Sequence, residues 1–380
     1  MPVRHGIFIT ETAQGARPIV EVATAVVGLV ATGPDADEDL FPLDTPVLIG
    51  DIRAAIAVAG ETGTLPAALA AIYDQCSPIL IVVRVAETVD PEDQDDAVIG
   101  TIAGGAYTGI QALLAAEGAT GVRPRILGAP GLDTAPVFGA LGIAAQKLNG
   151  MAYGYCTGAT SVSEALVYAE DFALREQMLF WPGTSAENGP ADLIARVLGM
   201  RARIDETVGW HKTISNVVVN GITGLATPVF FDLQDASTDA GLLNDGPITT
   251  VIRKDGYRFW GNRTRSPDPM YAFESAVRTS QVLRDSIANG LLWAVDQPLT
   301  EGLIKAMIET INADFDAKIA QGRLIGGRAR YDRDLNPAVN LAAGKLALIW
   351  DFTPCAPMEE LNGTQQITDI YYADFGRNLG

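Results

Sequence analysis

Between residues 25 and 182, apolar stretches typical of buried strands alternate with stretches typical of helices. The runs AVVGLVATG (25–33) and PILIVVRVA (78–86) are rich in β-branched residues and lack polar alternation. Between them, LPAALAAIYDQC (65–76) places a proline in the first turn of an alanine-rich helix. Strands without polar alternation are covered on both faces. We therefore predict an α/β region with a substantially parallel sheet and helices on both sides.

The pattern changes after residue 250. PITTVIR and GYRFWGNRT are strand-like, and two amphipathic helices follow, starting near Asp268 and Thr300. KLALIWDFTP (345–354) and QITDIYYADF (366–375) supply further strand-like runs. This half is predicted to be an α+β unit with two helices on a mixed sheet. The predicted division is an extended N-terminal arm (1–22), an α/β domain (23–250), an α+β domain (251–358) and an extended C-terminal arm with a strand (359–380).

Charge is spread unevenly along the chain, whose formal net charge is -19. Residues 1–250 carry 12 Lys and Arg against 30 Asp and Glu, whereas residues 251–380 carry 15 against 16. The first part would repel polyanions, so nucleic acid is not an expected partner. Two basic clusters in the last part are either solvated faces or contacts with an acidic surface: they comprise Arg253, Lys254, Arg258, Arg263 and Arg265, and Lys318, Arg323, Arg328, Arg330 and Arg333.

Motifs of known chemistry are not found in the sequence. GGAYTG (104–109) has Ala106 where the dinucleotide-binding fingerprint needs glycine, and there is no phosphate loop, nucleophile elbow or zinc-protease motif. A catalytic histidine would have to be His5 or His211, and neither has a partner signal nearby. Three widely spaced cysteines predict unpaired buried thiols. We expect no cofactor, no metal, no leader peptide and no membrane insertion.

The stretch DGYRFWGNRT (255–264) concentrates large side chains without a nucleophile or a metal ligand. In a strand, Tyr257 and Phe259 face one way, and Arg258 and Trp260 face the other. A strand loaded on both faces must be covered on both faces. We expect the two long helices to cover one face, and a second subunit or the terminal segments of the chain to cover the other.

Several consecutive blocks resemble one protein family. ITTVIRKDGYRFWGNRT, a helix containing VRT, and GLLWAVDQPLT follow one another as in the contractile-tail sheath proteins of temperate myophages and R-type pyocins. LPAALAAIYDQCSPILIVVRV, GIQALLAAEG, GVRPRILGAPG and DRDLNPAVNLAAGKL extend the resemblance in the same order. Most of the chain is covered. The weakest similarity lies at residues 183–217 and after Pro354.

This resemblance implies a structural subunit rather than an enzyme. Sheath proteins stack as hexameric rings into a helical cylinder around an inner tube and contract to drive the tube through an envelope. The α/β domain would then be outer and the α+β domain inner. Implied partners are further copies of the chain, the tube protein, and baseplate and tail-terminator proteins. The implied location is a virion tail or bacteriocin particle, assembled in the host cytoplasm.

The family also implies roles for particular residues. Terminal segments of neighbouring subunits add strands to the inner-domain sheet, which would contain Tyr257, Phe259 and Trp260. The residues expected to form the added strands are Gly6, Ile7, Phe8, Ile9, Ile367, Ile370, Tyr371 and Tyr372. The inner position makes one basic cluster the candidate tube contact: Lys318, Arg323, Arg328 and Arg330. The alternative left open is an α/β hydrolase or oxidoreductase with an unrecognised site.

Overall fold

The structure, a computed structural model, describes residues 18–184 and 192–374. Apolar β-branched runs form most of the strands, as their composition requires. The strands are β1 (Val27–Thr32), β2 (Val47–Ile49), β3 (Leu80–Val85), β4 (Ile102–Ala103), β5 (Ala106–Tyr107), β6 (Ile126–Gly128), β7 (Met151–Tyr155), β8 (Gln177–Phe180), β9 (Ile248–Arg253), β10 (Tyr257–Trp260), β11 (Leu324–Tyr331) and β12 (Leu348–Pro354).

Helices begin at capping side chains or early prolines. Asp51, Ser161 and Thr300 each accept a backbone hydrogen bond from the first turn of the helix they precede. The helices are α1 (Ile52–Ile56), α2 (Leu65–Tyr73), α3 (Pro91–Ile99), α4 (Gly109–Thr120), α5 (Ala135–Leu148), α6 (Val162–Ala169), α7 (Asp192–Thr207), α8 (Asp239–Asp245), α9 (Glu274–Gly290), α10 (Glu301–Ala320) and α11 (Ala338–Ala342).

One large mixed sheet organises the first two thirds of the chain. Its eight strands lie in the order β10-β9-β8-β7-β6-β1-β3-β2. The six central strands run parallel, and β2 and β10 close the two edges as antiparallel strands. The sequence-based prediction of a substantially parallel sheet in a mixed α/β fold is confirmed.

Helices cover both faces of this sheet. On one face, α2 and α7 pack over a core that includes Leu29, Val82 and Phe180. On the other face, α4 and α5 pack over a core that includes Val30 and Leu127. Neighbouring residues of β1 thus enter different cores, which explains why its sequence shows no polar alternation.

A smaller unit follows the large sheet. β11 and β12 pair as an antiparallel hairpin, and α10 packs against it. The core of this unit joins Phe315 of α10 with Leu324 and Ala329 of β11, and Leu283 and Ile287 of α9 complete it.

Helix α9 belongs to both units. Val277, near its beginning, is buried in a core of the large sheet, whereas Leu283 and Ile287 lie in the core of the small unit. The two cores are therefore joined by one uninterrupted helix.

The position of β9 and β10 differs from the sequence-based expectation. The two strands continue the large sheet instead of lying with the hairpin that α10 covers. Phe259 packs edge-on against Phe180 of β8, with ring centroids 5.5 Å apart. The physical reason is that β9 is buried on both faces, as a parallel neighbour of β8 must be.

The cover over β10 also differs from the expectation of a second subunit or a terminal segment. Residues 215–219 run along its outer edge, where the Asn216 N–H donates to Phe259 O at 2.7 Å and the Val219 N–H donates to Tyr257 O at 2.9 Å. Trp260 packs against Phe231, with ring centroids 5.1 Å apart. Internal segments of the same chain thus cover this strand.

The predicted strand at 366–375 is not formed within the single chain. Residues 355–368 have no regular secondary structure, and a short 3-10 helix spans Ile370–Asp374. An isolated segment without a neighbouring strand cannot satisfy a ladder of backbone hydrogen bonds. Within residues 18–184 and 192–374, no helix combines the length and hydropathy needed to cross a membrane.

Candidate assembly site

The β11–β12 hairpin has one covered face and one open face. Trp350 and Phe352 of β12 point toward the core beneath α10. On the opposite face, Ile325 is 67% exposed, and Arg328 and Arg330 are also exposed. The small unit thus presents a two-stranded sheet whose outer face is basic and partly apolar.

The N-terminal segment is fastened to the small unit from Ile19 onward. Ile19 packs against the small core and approaches Gly290 so closely that a Cβ there would lie 2.7 Å from Ile19 Cγ1. Glu21 accepts from Arg323 at 3.1 Å, and the Val22 N–H donates to Ser286 Oγ at 3.3 Å. Residues 19–22 therefore lie beside the start of β11.

The C-terminal segment leaves from the same end of the hairpin. Leu324 at the start of β11 pairs with Pro354 at the end of β12. Beyond the hairpin, Arg263 donates to both carboxylate oxygens of Glu359, at 2.8 and 2.6 Å, while its guanidinium lies 5.4 Å from the ring centroid of Phe273. This bidentate pair fixes the C-terminal segment at Glu359.

A cleft of about 420 Å³ with both polar and apolar lining lies under the fastened C-terminal segment. Residues 355–359 form one wall, and Lys212, Asn216, Asn244 and Trp260 contribute to the opposite wall.

The predicted strand-forming residues of the C-terminal arm are exposed. The exposed fractions are 95% for Ile367, 71% for Ile370, 79% for Tyr371 and 75% for Tyr372. Exposed large apolar side chains that are close together are typical of surfaces that bind a partner. Gly6, Ile7, Phe8 and Ile9, the candidates in the N-terminal arm, lie outside the described residues.

The four candidate tube contacts have different surroundings. Lys318 is only 4% exposed and pairs with Asp314 one turn earlier on α10, so it is not available to a tube in this conformation. Arg323 is half-buried and holds Glu21. Arg328 and Arg330 remain exposed on the open face of the hairpin, where Arg330 pairs with Asp351. Only the last two fit the predicted role.

The other basic cluster forms mainly internal contacts. Arg258 donates to Lys254 O and Asn216 O, and Arg263 holds Glu359. Arg265 donates to the carbonyls of Gly246 and Ala169, and burial lowers its pKa. Arg253 lies 5.7 Å from the ring centroid of Tyr257, so the structure brings four of these five cations into contacts within the chain.

A buried charge cluster that the sequence analysis missed joins α7 to α9. Arg201 contacts Asp205 at 2.8 Å and Glu274 at 3.2 Å, and Arg278 also pairs with Asp205. Tyr153 donates to Glu274 at 2.8 Å, and burial, with the Glu274 charge adding to it, raises the pKa of Tyr153. The i,i+4 spacing of Arg201 and Asp205, and of Glu274 and Arg278, was the available signal.

Other buried ionisable groups have local structural explanations. Asp133 is fully buried after β6, where its carboxyl accepts from the Tyr155 N–H at 2.6 Å, and burial raises its pKa to about 7. Burial likewise raises the pKa of Cys76 to about 12 and that of Cys156 further. Burial, followed by the nearby Arg323 charge, lowers the pKa of His211.

Comparison with protein families gives three matches that follow one another along the chain. A tail sheath domain III N-terminal region matches residues 24–85, a phage tail sheath protein central domain matches residues 105–265, and a phage tail sheath C-terminal domain matches residues 266–368. The chain is 46% identical to the tail sheath protein of Escherichia phage P2, over 97% of each chain. It is 42% identical to the major tail sheath protein of Serratia phage KSP20, over 99% of this chain and 98% of that one.

Solved structures share the fold at low sequence identity. The sheath of the extracellular contractile injection system PVC, in its contracted state, gives a TM-score of 0.71 at 16% identity, covering 97% of this chain and 98% of that one. The contracted helical sheath of the anti-feeding prophage gives 0.72 at 18% identity, covering 96% and 98%.

Proposed function

The chain belongs to the phage tail sheath family, and from this membership we propose how its terminal segments and its small hairpin serve the sheath. The protein is a structural subunit of a contractile tail sheath, a component of a virion or a related particle. The enzyme alternative is not supported, because the relatives are sheath proteins. The finer proposals concern ring assembly, the tube and the strand exchange between copies.

The observation that carries the proposal is that residues 19–22 and the start of the C-terminal segment both lie beside a two-stranded hairpin. A hairpin of two strands has two edges and is too small to be stable alone, so it gains from an added strand. We propose that terminal segments of neighbouring copies pair with this hairpin, which links hexameric rings into a helical cylinder. Such head-to-tail contacts extend indefinitely because they do not close on themselves.

Strand addition is tested by removing each terminal segment. We expect full-length protein to form cylinders under negative-stain electron microscopy, and we expect chains lacking residues 1–17 or 366–380 to remain folded but unassembled. The first deletion stops before Ile19, which packs in the small core and must be kept. Full-length cylinders formed by either truncated chain would refute the proposal.

The open face of the hairpin is the proposed contact with the inner tube. Its support is the exposure of Arg328 and Arg330 on a part of the chain that has nearly balanced charge. Exposed ion pairs contribute only about 0.2–1 kcal/mol each. Repeated in every subunit, such contacts could hold the extended sheath on a tube with an acidic surface and still release it on contraction.

Charge reversal tests the tube contact. Arg328→Glu with Arg330→Glu should prevent extended assembly on the tube and leave the contracted sheath able to form without it. Arg253→Glu, at an exposed position on the large sheet, is the matched control and should assemble normally. If the double variant forms neither the extended nor the contracted sheath, these residues are contacts between sheath subunits. If it forms both, they are solvated.

Further proposals complete the picture. We propose baseplate and tail-terminator proteins as partners at the two ends of the cylinder, and assembly in the host cytoplasm. We propose a division into two terminal arms and two domains, with the α/β domain on the outside of the cylinder and the α+β domain on the inside. Because β9 and β10 continue the large sheet, we place the boundary between the domains after β10 rather than after residue 250.

A further inference from the structure

We propose that the C-terminal segment of a second copy, residues 366–372, pairs with the outer edge of β12, because the side chain of Asn312 closes the outer edge of β11. This inference rests on the proposed strand exchange and assigns the edge at which it occurs. Asn312 becomes a positioning residue for assembly: it directs the incoming strand by closing the competing edge.

The geometry at Ala329 carries the argument. Asn312 Nδ2 donates to Ala329 O at 3.2 Å, and the Ala329 N–H donates to Asn312 Oδ1 at 2.7 Å. One side-chain amide thus satisfies both backbone groups of a single strand residue. An added strand would use the same N–H and C=O, so the amide of Asn312 occupies the place of that strand.

The direction of these bonds identifies the edge. Ala329 lies opposite Trp350 in the hairpin register. The N–H and C=O of Ala329 both bond to Asn312, so they point away from β12. Ala329 and Trp350 are therefore a pair of opposite residues that does not exchange backbone hydrogen bonds. By the same alternation, Gly327 and Tyr331 present their backbone groups to the outer edge of β11. Asn312 therefore lies at the centre of that edge.

The position of Asn312 is fixed by its neighbours on α10. Ile311 and Phe315 are fully buried in the small core and orient the helix along β11. Displacing Asn312 would leave both Ala329 groups without partners until another strand arrived. A buried or half-buried polar group without a partner is costly, so an incoming strand gains less at β11 than at an unoccupied edge.

The outer edge of β12 has no corresponding side chain among the described residues. Trp350 and Ala329 exchange no backbone hydrogen bonds, so the N–H and C=O of Trp350 point away from β11. The backbone groups of Leu348 and Phe352, two residues away on either side, point the same way. No side chain in residues 18–184 or 192–374 bonds to the backbone of these three residues. This edge is open to a partner strand.

The chemistry of the edge fits the C-terminal segment. The side chains of Leu348, Trp350 and Phe352 face the apolar core, so an added strand would extend an apolar face. Ile367 and Tyr371, which point to the same face of a strand, are at least 79% exposed in the single chain and can supply apolar side chains to it. The segment begins seven residues after Glu359, where the ion pair with Arg263 fastens the chain.

Residue-resolved hydrogen exchange on the assembled sheath and on the unassembled full chain tests the proposal. On assembly, we expect the amides of Leu348, Trp350 and Phe352 to exchange more slowly by at least about tenfold, as amides that enter a ladder do. The amides of Gly327 and Tyr331 should keep their rates. Deleting residues 366–380 should leave the β12 amides unprotected at the same protein concentration.

Two substitutions on α10 complete the test. In the unassembled chain, Asn312→Ala should accelerate exchange at the Ala329 amide and open the β11 edge to irregular self-association, detected by light scattering. Asp316→Ala, at an exposed position one turn later, is the matched control and should do neither. An unchanged Ala329 rate in Asn312→Ala would show that the amide does not guard the edge.

The outcomes separate this inference from the proposed function. Slower exchange at Gly327 and Tyr331, without a change at β12, would overturn the choice of edge but keep strand exchange. Protection of β12 that survives deletion of residues 366–380 would overturn the choice of segment. Cylinders that form with no protection on either strand would refute strand exchange at the hairpin itself.

Discussion

Glu274 offers the sharpest test of how the large and small units are joined. Together with Arg201, Asp205 and Arg278 it forms a cluster of two cations and two anions whose side chains are at most 3% exposed. Glu274→Ala leaves two buried guanidinium groups facing one carboxylate. Removing one partner from a buried ion pair costs about 3–5 kcal/mol, because the remaining charge stays desolvated without compensation.

The expected loss is a large part of the free energy of unfolding, which is about 5–15 kcal/mol for a typical protein. Urea unfolding, monitored by tryptophan fluorescence, should show this loss as a lower urea concentration at the midpoint of the transition. Asp351→Ala is the matched control: it removes the partner of Arg330, but both side chains are more than half exposed, at 65% and 52%, so the cost should be at most about 1 kcal/mol. If Glu274→Ala costs no more than Asp351→Ala, the cluster does not join the units as described.

Three further predictions follow from single contacts. Burial raises the pKa of Asp133 from 3.8 to about 7, so the native protein should lose stability as pH rises between these two values, by at most about 1.4 kcal/mol per pH unit. Asp133→Asn should abolish this dependence of the unfolding free energy on pH in urea titrations. Arg263→Glu should speed maleimide labelling of Cys355, and adding Glu359→Arg should restore the slow rate. Cys156→Ser should lower stability by about 1–3 kcal/mol in thermal unfolding without preventing assembly.

The large sheet could be predicted from the sequence because its signal is local. A strand such as β3 is buried on both faces, and its uninterrupted apolar run shows this without knowledge of its neighbours. The order of the strands in the sheet, in contrast, depends on contacts between residues that are far apart in the sequence. GYRFWGNRT was predicted to contain a strand, which forms at Tyr257–Trp260, yet its pairing with β9 at the edge of the large sheet depends on contacts with residues 215–219 and with Phe180.

The candidate site was predictable to a smaller extent. A count of charges identified a basic cluster but could not distinguish buried Lys318, paired with Asp314, from exposed Arg328. Both are cations in one cluster, and the difference arises from the side of α10 or β11 that each residue occupies. Asn312 gave no signal at all, since an asparagine on a helix bonds to a distant backbone only after the helix and the hairpin have packed.

Helix α9 has a mechanical consequence for a subunit of a contractile sheath. Its first turns are clamped by the buried charges beside α7, and its last turns are embedded under the hairpin. Because α9 is held at both ends, we expect the hairpin and the large sheet to keep one relative orientation, so that a rotation of either should carry the other with it. We would then expect movement between neighbouring copies to be taken up by the C-terminal segment after Glu359, whose residues 360–372 are exposed.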